Sequence, residues 1–170
     1  MTISTTIQTY LDDLGIDYAL LLHDHTETSS MTAETSRVPG SRLVKAVIIS
    51  DGERYMMAAL PASHHLRLNE LQDLLGREVE LVPEEEFAAL FTDCEVGAVP
   101  ALGMAYGLEV IVEDSLIKSG DLYFESGDHE TLVHMKAEAF EGLVSDALHG
   151  HFSRHDKKPE ERSGFRYSHT

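Results

Sequence analysis

The order of apolar and polar positions along the chain predicts helices and strands that interleave irregularly. Apolar residues at positions 7, 10, 11 and 14 have the spacing of an amphipathic helix over residues 5–14, which Gly15 would end. Two apolar runs around Asp51-Gly52, at residues 43–50 and 55–60, predict a β-hairpin. Further strands are predicted at residues 18–23 (a buried strand), 78–82, 109–113, 122–125 and 131–135. Further helices are predicted from a cap at Thr32 to Pro39-Gly40, and at residues 69–75, 84–91 and 137–148.

These elements predict a single α+β domain with a mixed, mostly antiparallel sheet and helices packed on it. At least one strand pair is a hairpin, and helices do not alternate regularly with strands, which argues against an all-parallel sheet. The chain after residue 149 is polar and poor in large apolar side chains. We therefore expect a domain over residues 1–149 and a flexible polar tail over residues 150–170.

Composition narrows the class of protein. The chain has 170 residues, 42% of them hydrophobic and 25% charged, which is typical of one globular domain. The single cysteine, Cys94, cannot form an internal disulfide, and no apolar run approaches the roughly eighteen residues of a membrane span. The N-terminus has no basic region followed by an apolar core. We expect a soluble cytoplasmic protein with no membrane partner.

The charge of the chain opposes a tight, non-specific hold on nucleic acid. Thirteen Lys and Arg against thirty Asp and Glu give a net charge of −17, whereas phosphate binding depends on basic residues that displace counterions. Basic residues outnumber acidic ones only in residues 37–77 and 150–170. If a polyanion binds, we expect it there, but a well-solvated acidic surface is the simpler interpretation of the charge.

Three features could carry chemistry. Lys45 is the only ionisable residue in an apolar strand and could orient a carbonyl or phosphate oxygen, although the pattern alone favours a stem that packs on the sheet while the head reaches water. The glycine-proline segment 97–103 could present backbone N–H groups to a carbonyl, or could be an ordinary connection. His129 follows Gly127-Asp128 and could carry a proton, or could simply belong to a turn.

Metal chemistry and an enzyme nucleophile are less well supported. The pairs His23-x-His25 and His64-His65 do not have the spacing of a zinc finger or of a His-Glu-x-x-His helix, so we expect no metal and no other cofactor. Cys94 lies between Asp93 and Glu95, which would raise the pKa of its thiol. The chain contains no nucleophile elbow, phosphate-binding loop or dinucleotide fingerprint.

The order of these features resembles the YbaK family, which contains aminoacyl-tRNA deacylases and the editing insertion domain of bacterial prolyl-tRNA synthetase. The resemblance covers the chain from the first helix to Leu148. The segments that carry it are Met31-Thr32-Ala33-Glu34, Leu43-Val44-Lys45, Asp51-Gly52, Ala59-Leu60-Pro61-Ala62, Glu95-Val96-Gly97-Ala98-Val99-Pro100 and Gly127-Asp128-His129-Glu130.

The resemblance implies a free-standing, trans-editing hydrolase that cleaves the ester between a wrong, small amino acid and the tRNA 3′ adenosine. It implies catalytic roles for Lys45, Gly97 and His129, with a water and the substrate's own 2′-hydroxyl in place of an enzyme nucleophile. Amides of the loop would hold the substrate carbonyl, and the implied substrate-binding residues are Met31, Ala33, Val47, Ala98, Val99, Pro100 and Asp128. The implied partners are the acceptor end of an aminoacyl-tRNA, bound transiently, and an aminoacyl-tRNA synthetase; DNA is not expected.

One position departs from the prolyl-editing branch. Asparagine usually follows the lysine there, whereas Ala46 stands at this position, so the amino acid removed stays open. We expect the basic residues of segment 37–77, among them Arg37, Arg42 and Arg67, to face the tRNA.

Two other readings compete with the esterase. One is a non-catalytic module of the same fold that binds a tRNA end, a nucleotide or a partner protein, and Ala46 mildly favours it. The other is a metal-dependent hydrolase that uses the histidines, which full activity in a chelator would exclude.

Overall fold

A computed structural model describes residues 3–24, 29–95, 97–118 and 120–156. The helices are α1 (Thr5–Asp13), α2 (Ser29–Ser36), α3 (Leu68–Leu75), α4 (Glu84–Phe87) and α5 (Ala137–Leu143). The strands are β1 (Ala19–Leu22), β2 (Leu43–Ser50), β3 (Tyr55–Pro61), β4 (His64–Leu66), β5 (Glu80–Leu81), β6 (Glu109–Glu113), β7 (Asp121–Glu125), β8 (Thr131–Lys136), β9 (Leu148–Gly150) and β10 (Ser153–His155). Single 3₁₀ turns occupy Ala88–Leu90, Gly103–Tyr106 and Asp114–Leu116.

Eight strands form one mixed sheet in the order β1-β8-β7-β2-β3-β6-β9, with β5 added to β2. The pairs β1–β8, β7–β8, β2–β3 and β2–β5 are antiparallel, whereas β2–β7, β3–β6 and β6–β9 are parallel. Strands β4 and β10 form a separate antiparallel pair. The predicted α+β fold with a mixed, mostly antiparallel sheet is confirmed.

The local signals that predicted the elements also explain how they begin and end. The Ser4 hydroxyl caps α1 by accepting a hydrogen bond from Ile7 N at 3.1 Å, and the helix buries Ile7 and Leu11. Gly76 ends α3 with a φ of 72°, which glycine adopts without strain. The β2–β3 hairpin pairs Val44 with Pro61 through Ser50 with Tyr55. In the strand order of the sheet, β2 and β3 lie at the centre.

Several predicted elements are wrong in detail. Strand β1 was expected to be buried, but it is an edge strand whose Leu20 and Leu22 are 49% and 74% exposed. Thr32 lies inside α2 rather than at its cap, because the helix begins at Ser29. Helix α5 ends at Leu143 instead of residue 148.

The predicted flexible tail is wrong for residues 150–156. Strand β9 pairs with β6, β10 pairs with β4, and Phe152 between them is fully buried. Backbone pairing with distant strands orders this polar segment, which a pattern of apolar residues cannot show. Residues 157–170 lie outside the described residues. In the part of the chain that the structure describes, no helix is both long and apolar enough to cross a membrane.

Candidate active site

The parallel pairing of β2 with β7 brings Lys45 beside a carboxylate. Val44 lies opposite Phe124, so the next residues along the two strands are Lys45 and Glu125. Both side chains line one cavity of about 260 Å³. The rest of its lining is mostly apolar: Val44, Ala46, Val47, Ile48, Leu81, Val82, Glu84, Phe87, Gly97 and Val99. A depression of about 330 Å³ beside the β2–β3 hairpin is larger, but neither Lys45 nor Gly97 lines it.

The surroundings of Lys45 change the pKa of its amine. Burial lowers the pKa of Lys45, while the negative charge of Asp156 acts in the opposite direction. The ammonium donates a hydrogen bond to the backbone carbonyl of His64 in β4. A desolvated lysine that lines a cavity is a common feature of functional sites.

Glu125 is the site residue that the sequence analysis missed. It is only 6% exposed, and its Oε2 accepts a hydrogen bond from the Thr32 hydroxyl at 3.1 Å. The Thr32 hydroxyl therefore contacts the site from inside α2 instead of capping that helix. An acidic residue at the end of the apolar run 122–124, directly before Ser126-Gly127-Asp128, was the available signal.

The glycine-proline loop reaches the cavity through Gly97 and Val99. Gly97 has a φ of 86°, a conformation that favours glycine. Within the loop, Ala98 N donates to the Glu95 carbonyl at 3.1 Å, so this amide is already engaged, and the Ala98 side chain is fully buried. Pro100 is also buried. Gly97 and Val99 are thus the loop residues that a bound molecule would meet first.

The turn between β7 and β8 is hydrogen-bonded to the residues that precede this loop. Glu95 N donates to the Gly127 carbonyl at 2.7 Å. Asp128 is buried and accepts from Glu130 N, Thr131 N and the Thr131 hydroxyl at 2.8–3.0 Å, so its carboxylate holds the turn together. His129 is 3% exposed and has a φ of 62°, a strained backbone for a residue other than glycine.

The predicted pocket residues of α2 lie apart from the cavity lining. Ala33 packs with a small apolar cluster around Val38 and Leu132. Met31 is 48% exposed on the same helix. Of the residues predicted to bind substrate, Val47 and Val99 line the cavity.

The predicted tRNA-binding arginines have diverse surroundings. Arg42 Nε donates to the Asp121 carbonyl at 2.8 Å, and Arg67 lies 3.8 Å from Glu70. Arg37 directly follows α2 with a φ of 63°. Elsewhere in segment 37–77, Arg77 pairs with Asp51 at 3.3 Å and Arg54 with Glu109 at 3.4 Å. Much of the positive charge of this segment is therefore balanced locally.

In the described part of the chain, neither a metal-binding cluster nor a reactive thiol supports a different chemistry. Among the described residues, no three His, Cys, Asp or Glu side chains form a group that could hold a metal ion; His25 lies outside those residues. Burial raises the pKa of the Cys94 thiol to about 12, which keeps it protonated near neutral pH.

Comparison with known proteins gives a family and a fold. The pattern of the aminoacyl-tRNA editing domain family matches residues 23–143. The proline–tRNA ligase of Trichlorobacter lovleyi is 30% identical over 110 residues, which are 64% of this chain and 19% of that ligase. The chain thus spans about a fifth of the length of this curated relative.

Two solved structures share the fold. A hypothetical protein superposes with a TM-score of 0.78 at 21% identity, covering 88% of this chain and 99% of its own. A candidate trans-editing enzyme for prolyl-tRNA synthetase superposes with a TM-score of 0.77 at 16% identity, covering 89% of this chain and 96% of its own.

Proposed function

The chain belongs to the aminoacyl-tRNA editing domain family, and on that premise we propose that it is a hydrolase that removes a wrongly attached small amino acid from tRNA in trans. The observation that carries the proposal is the convergence of Lys45, Gly97, Val99 and Glu125 on one cavity. A volume of about 260 Å³ lies just below the range of roughly 300–1,000 Å³ that is typical of ligand pockets, which favours a small aminoacyl group.

The reaction is the addition of water to the ester carbonyl. The bond between the carbonyl carbon and the ribose oxygen then breaks, so the products are a free amino acid and a tRNA with both terminal hydroxyls. In this proposal the ammonium of Lys45 and the amides near Gly97 and Val99 stabilise the negative charge that develops on the carbonyl oxygen. The substrate 2′-hydroxyl positions the water, so the protein supplies no nucleophile.

Glu125 gives the cavity a second recognition element. An aminoacyl ester carries a free α-ammonium group, and a buried carboxylate is a suitable partner for it. In the proposal, Glu125 therefore orients the amino end of the substrate while Lys45 faces the carbonyl. His129 and Asp128 contribute through the turn that supports the loop.

A panel of charged tRNAs tests the proposal. We expect one of the esters of Ala, Ser, Thr, Cys or Pro to be hydrolysed well above its spontaneous rate, in the presence as in the absence of a chelator. If the folded protein cleaves none of them, the proposal fails and the non-catalytic binding module replaces it. The hydrogen bond from Lys45 to the His64 carbonyl uses one of the three donors of the ammonium, so two are left for a ligand in either case.

A further inference from the structure

The chain beyond the family match packs directly behind Lys45. The match ends at residue 143, yet residues 148–156 add β9 to the main sheet and β10 to β4. In the second pair, His155 lies opposite His64, the residue whose carbonyl accepts the hydrogen bond of Lys45. Asp156 N continues the contact by donating to the Ser63 carbonyl at 2.8 Å.

Glu113 at the end of β6 holds this segment in place. Its carboxylate is 1% exposed and accepts from Phe152 N at 2.9 Å and from the Ser153 hydroxyl at 2.8 Å. Ser115 N and His151 Nδ1 lie 3.2 and 3.0 Å from its other oxygen. Burial opposes ionisation, but these hydrogen bonds outweigh it and lower the pKa of Glu113, so the carboxylate is anionic at neutral pH.

Ser153 connects Glu113 to His64. Because the Ser153 hydroxyl donates to Glu113, its oxygen is left to accept a hydrogen bond from His64 Nδ1, 2.7 Å away. This contact fixes the ring of the residue whose carbonyl holds Lys45. Hydrogen bonds thus link Glu113 through Ser153 to the His64 ring, and the backbone carbonyl of the same residue accepts from the Lys45 ammonium.

The charged groups that face Lys45 come from four elements. Asp156 follows β10 and its Oδ1 lies 3.0 Å from Nδ1 of His65 in β4, the strand that also contains His64. Glu125 of β7 and Glu84 of α4 line the same cavity. Of these, Asp156 belongs to the segment outside the family match, and its charge raises the pKa of Lys45 against the effect of burial.

We propose that residues 148–156 are part of the functional site, where Ser153 and Glu113 position His64, whose carbonyl holds Lys45, and where Asp156 places a negative charge in the surroundings of that lysine. The inference deepens the proposed hydrolase, since it concerns the same lysine. Asp156 and Ser153 are positioning residues in this account, because both act through Lys45.

The first test measures Lys45 itself and requires no substrate. The full-length protein is acetylated briefly with acetic anhydride over a range of pH, and modification of Lys45 is followed by mass spectrometry. We expect the Lys45 titration midpoint of Asp156→Asn to move to lower pH, since the mutation removes a charge that raises the pKa. Asp156→Glu, which keeps the charge, and Asp146→Asn, an equal charge change at an exposed site, should match the parent.

The second test measures turnover. Ser153→Ala should lower kcat by about fivefold with KM nearly unchanged, the size of effect expected when one hydrogen bond is lost from a positioning chain. Ser145→Ala, at an exposed position after α5, should leave both constants unchanged.

Failure of this inference is distinct from failure of the proposed function. If Asp156→Asn titrates like the parent and Ser153→Ala retains full kcat, the role of residues 148–156 is refuted whatever ester is cleaved. If the acetylation midpoint shifts but the parent cleaves no ester, the segment still controls Lys45 and only the hydrolase is wrong.

Discussion

At the scale of single residues, the site combines two opposite charges that burial disfavours. Glu125 is buried and Lys45 is half-buried where they line a mostly apolar cavity, and each contacts a neighbouring polar group, the Thr32 hydroxyl and the His64 carbonyl, respectively. Burying charge costs stability, and charged groups buried beside a cavity are typical of functional sites. Their opposite signs suit the carbonyl and amino ends of one aminoacyl group.

Removing the charge of Glu125 should slow the hydrolysis of esters with a free amino group more than that of esters whose amino group is blocked. We expect Glu125→Gln to lower kcat/KM for an aminoacyl-tRNA by about tenfold, because one charge-assisted contact to the α-ammonium is lost. An N-acetylated ester, which has no such charge, should be affected little. Glu85→Gln on the exposed surface of α4 is the matched control. Equal losses for both esters would refute this role of Glu125.

Asp93 should make the fold sensitive to acid. Burial would raise its pKa, but hydrogen bonds from Thr6 N, the Tyr106 hydroxyl and the Ser4 hydroxyl outweigh burial and lower the pKa to about 2. A carboxyl group with a lowered pKa stabilises the folded state when the pH is above 3.8, the pKa of this group in the unfolded chain. This stabilisation is lost as the pH falls towards 2.

The measurement is urea unfolding of the parent and of Asp93→Asn between pH 5 and pH 2. The variant should be less stable at pH 5, by about 1 kcal/mol or less because the side chain is exposed, and the difference should shrink on acidification. Asp13→Asn, exposed in α1, controls for net charge. A difference that stays constant with pH would show that Asp93 does not act through its ionisation.

At the scale of elements, signals within a short stretch of sequence predicted helices and strands well. Strands that depend on pairing with distant segments could not be predicted. The β2–β3 hairpin was predicted because its two apolar strands and its Asp-Gly turn are adjacent in sequence. Strands β9 and β10 are three residues each and contain polar residues, and they exist because β6 and β4 offer backbone partners. No pattern within residues 148–156 could reveal those partners.

Phe152 tests whether this segment is integral to the fold. Its side chain is fully buried, so Phe152→Ala should lower the free energy of unfolding by about 3–5 kcal/mol, the usual cost of such a cavity. Leu148→Ala, at a side chain that is 40% exposed, should cost far less. Thermal or urea unfolding measures both losses. If the two variants lose equally little stability, the segment is not part of the cooperative core.

The same distinction between local signals and distant pairings applies to the residues of the candidate site. Lys45 and the glycine-proline loop could be found from the sequence, because an isolated charge in an apolar strand and a cluster of turn residues are local features. Glu125 has a local signal in the sequence, but its position beside Lys45 follows only from the β2–β7 register, and that of Asp156 only from the β4–β10 pairing. The roles of Met31, Ala33 and His129 stay predictions.

At the scale of the whole molecule, the charge of −17 must be reconciled with a polyanionic substrate. Arg77, Arg54 and Arg154 are paired with acidic side chains, so part of the positive charge of the described residues is already balanced. A site that recognises mainly the aminoacyl end, with few phosphate contacts, is consistent with this surface. Such an enzyme would bind tRNA transiently.

A salt titration of tRNA binding measures this balance. We expect affinity to fall as NaCl rises, with a shallow slope equivalent to only a few neutralised phosphates. Fluorescence anisotropy of a labelled acceptor-stem hairpin gives the dissociation constant at each concentration. Affinity that is independent of salt would remove the basic segment 37–77 from the interface, whereas a steep slope would contradict the small contact.

The most direct test of the central claim is single-turnover hydrolysis of the preferred ester by the parent and by Lys45→Met, with unfolding measured on the same samples. The account predicts a loss of at least about a hundredfold, the usual effect of removing one group that stabilises the developing charge. Folding stability should be retained, because the replacement removes a desolvated charge. Lys118→Met, at an exposed lysine, should keep full activity. A folded Lys45→Met protein that hydrolyses the ester at the parental rate would contradict the account.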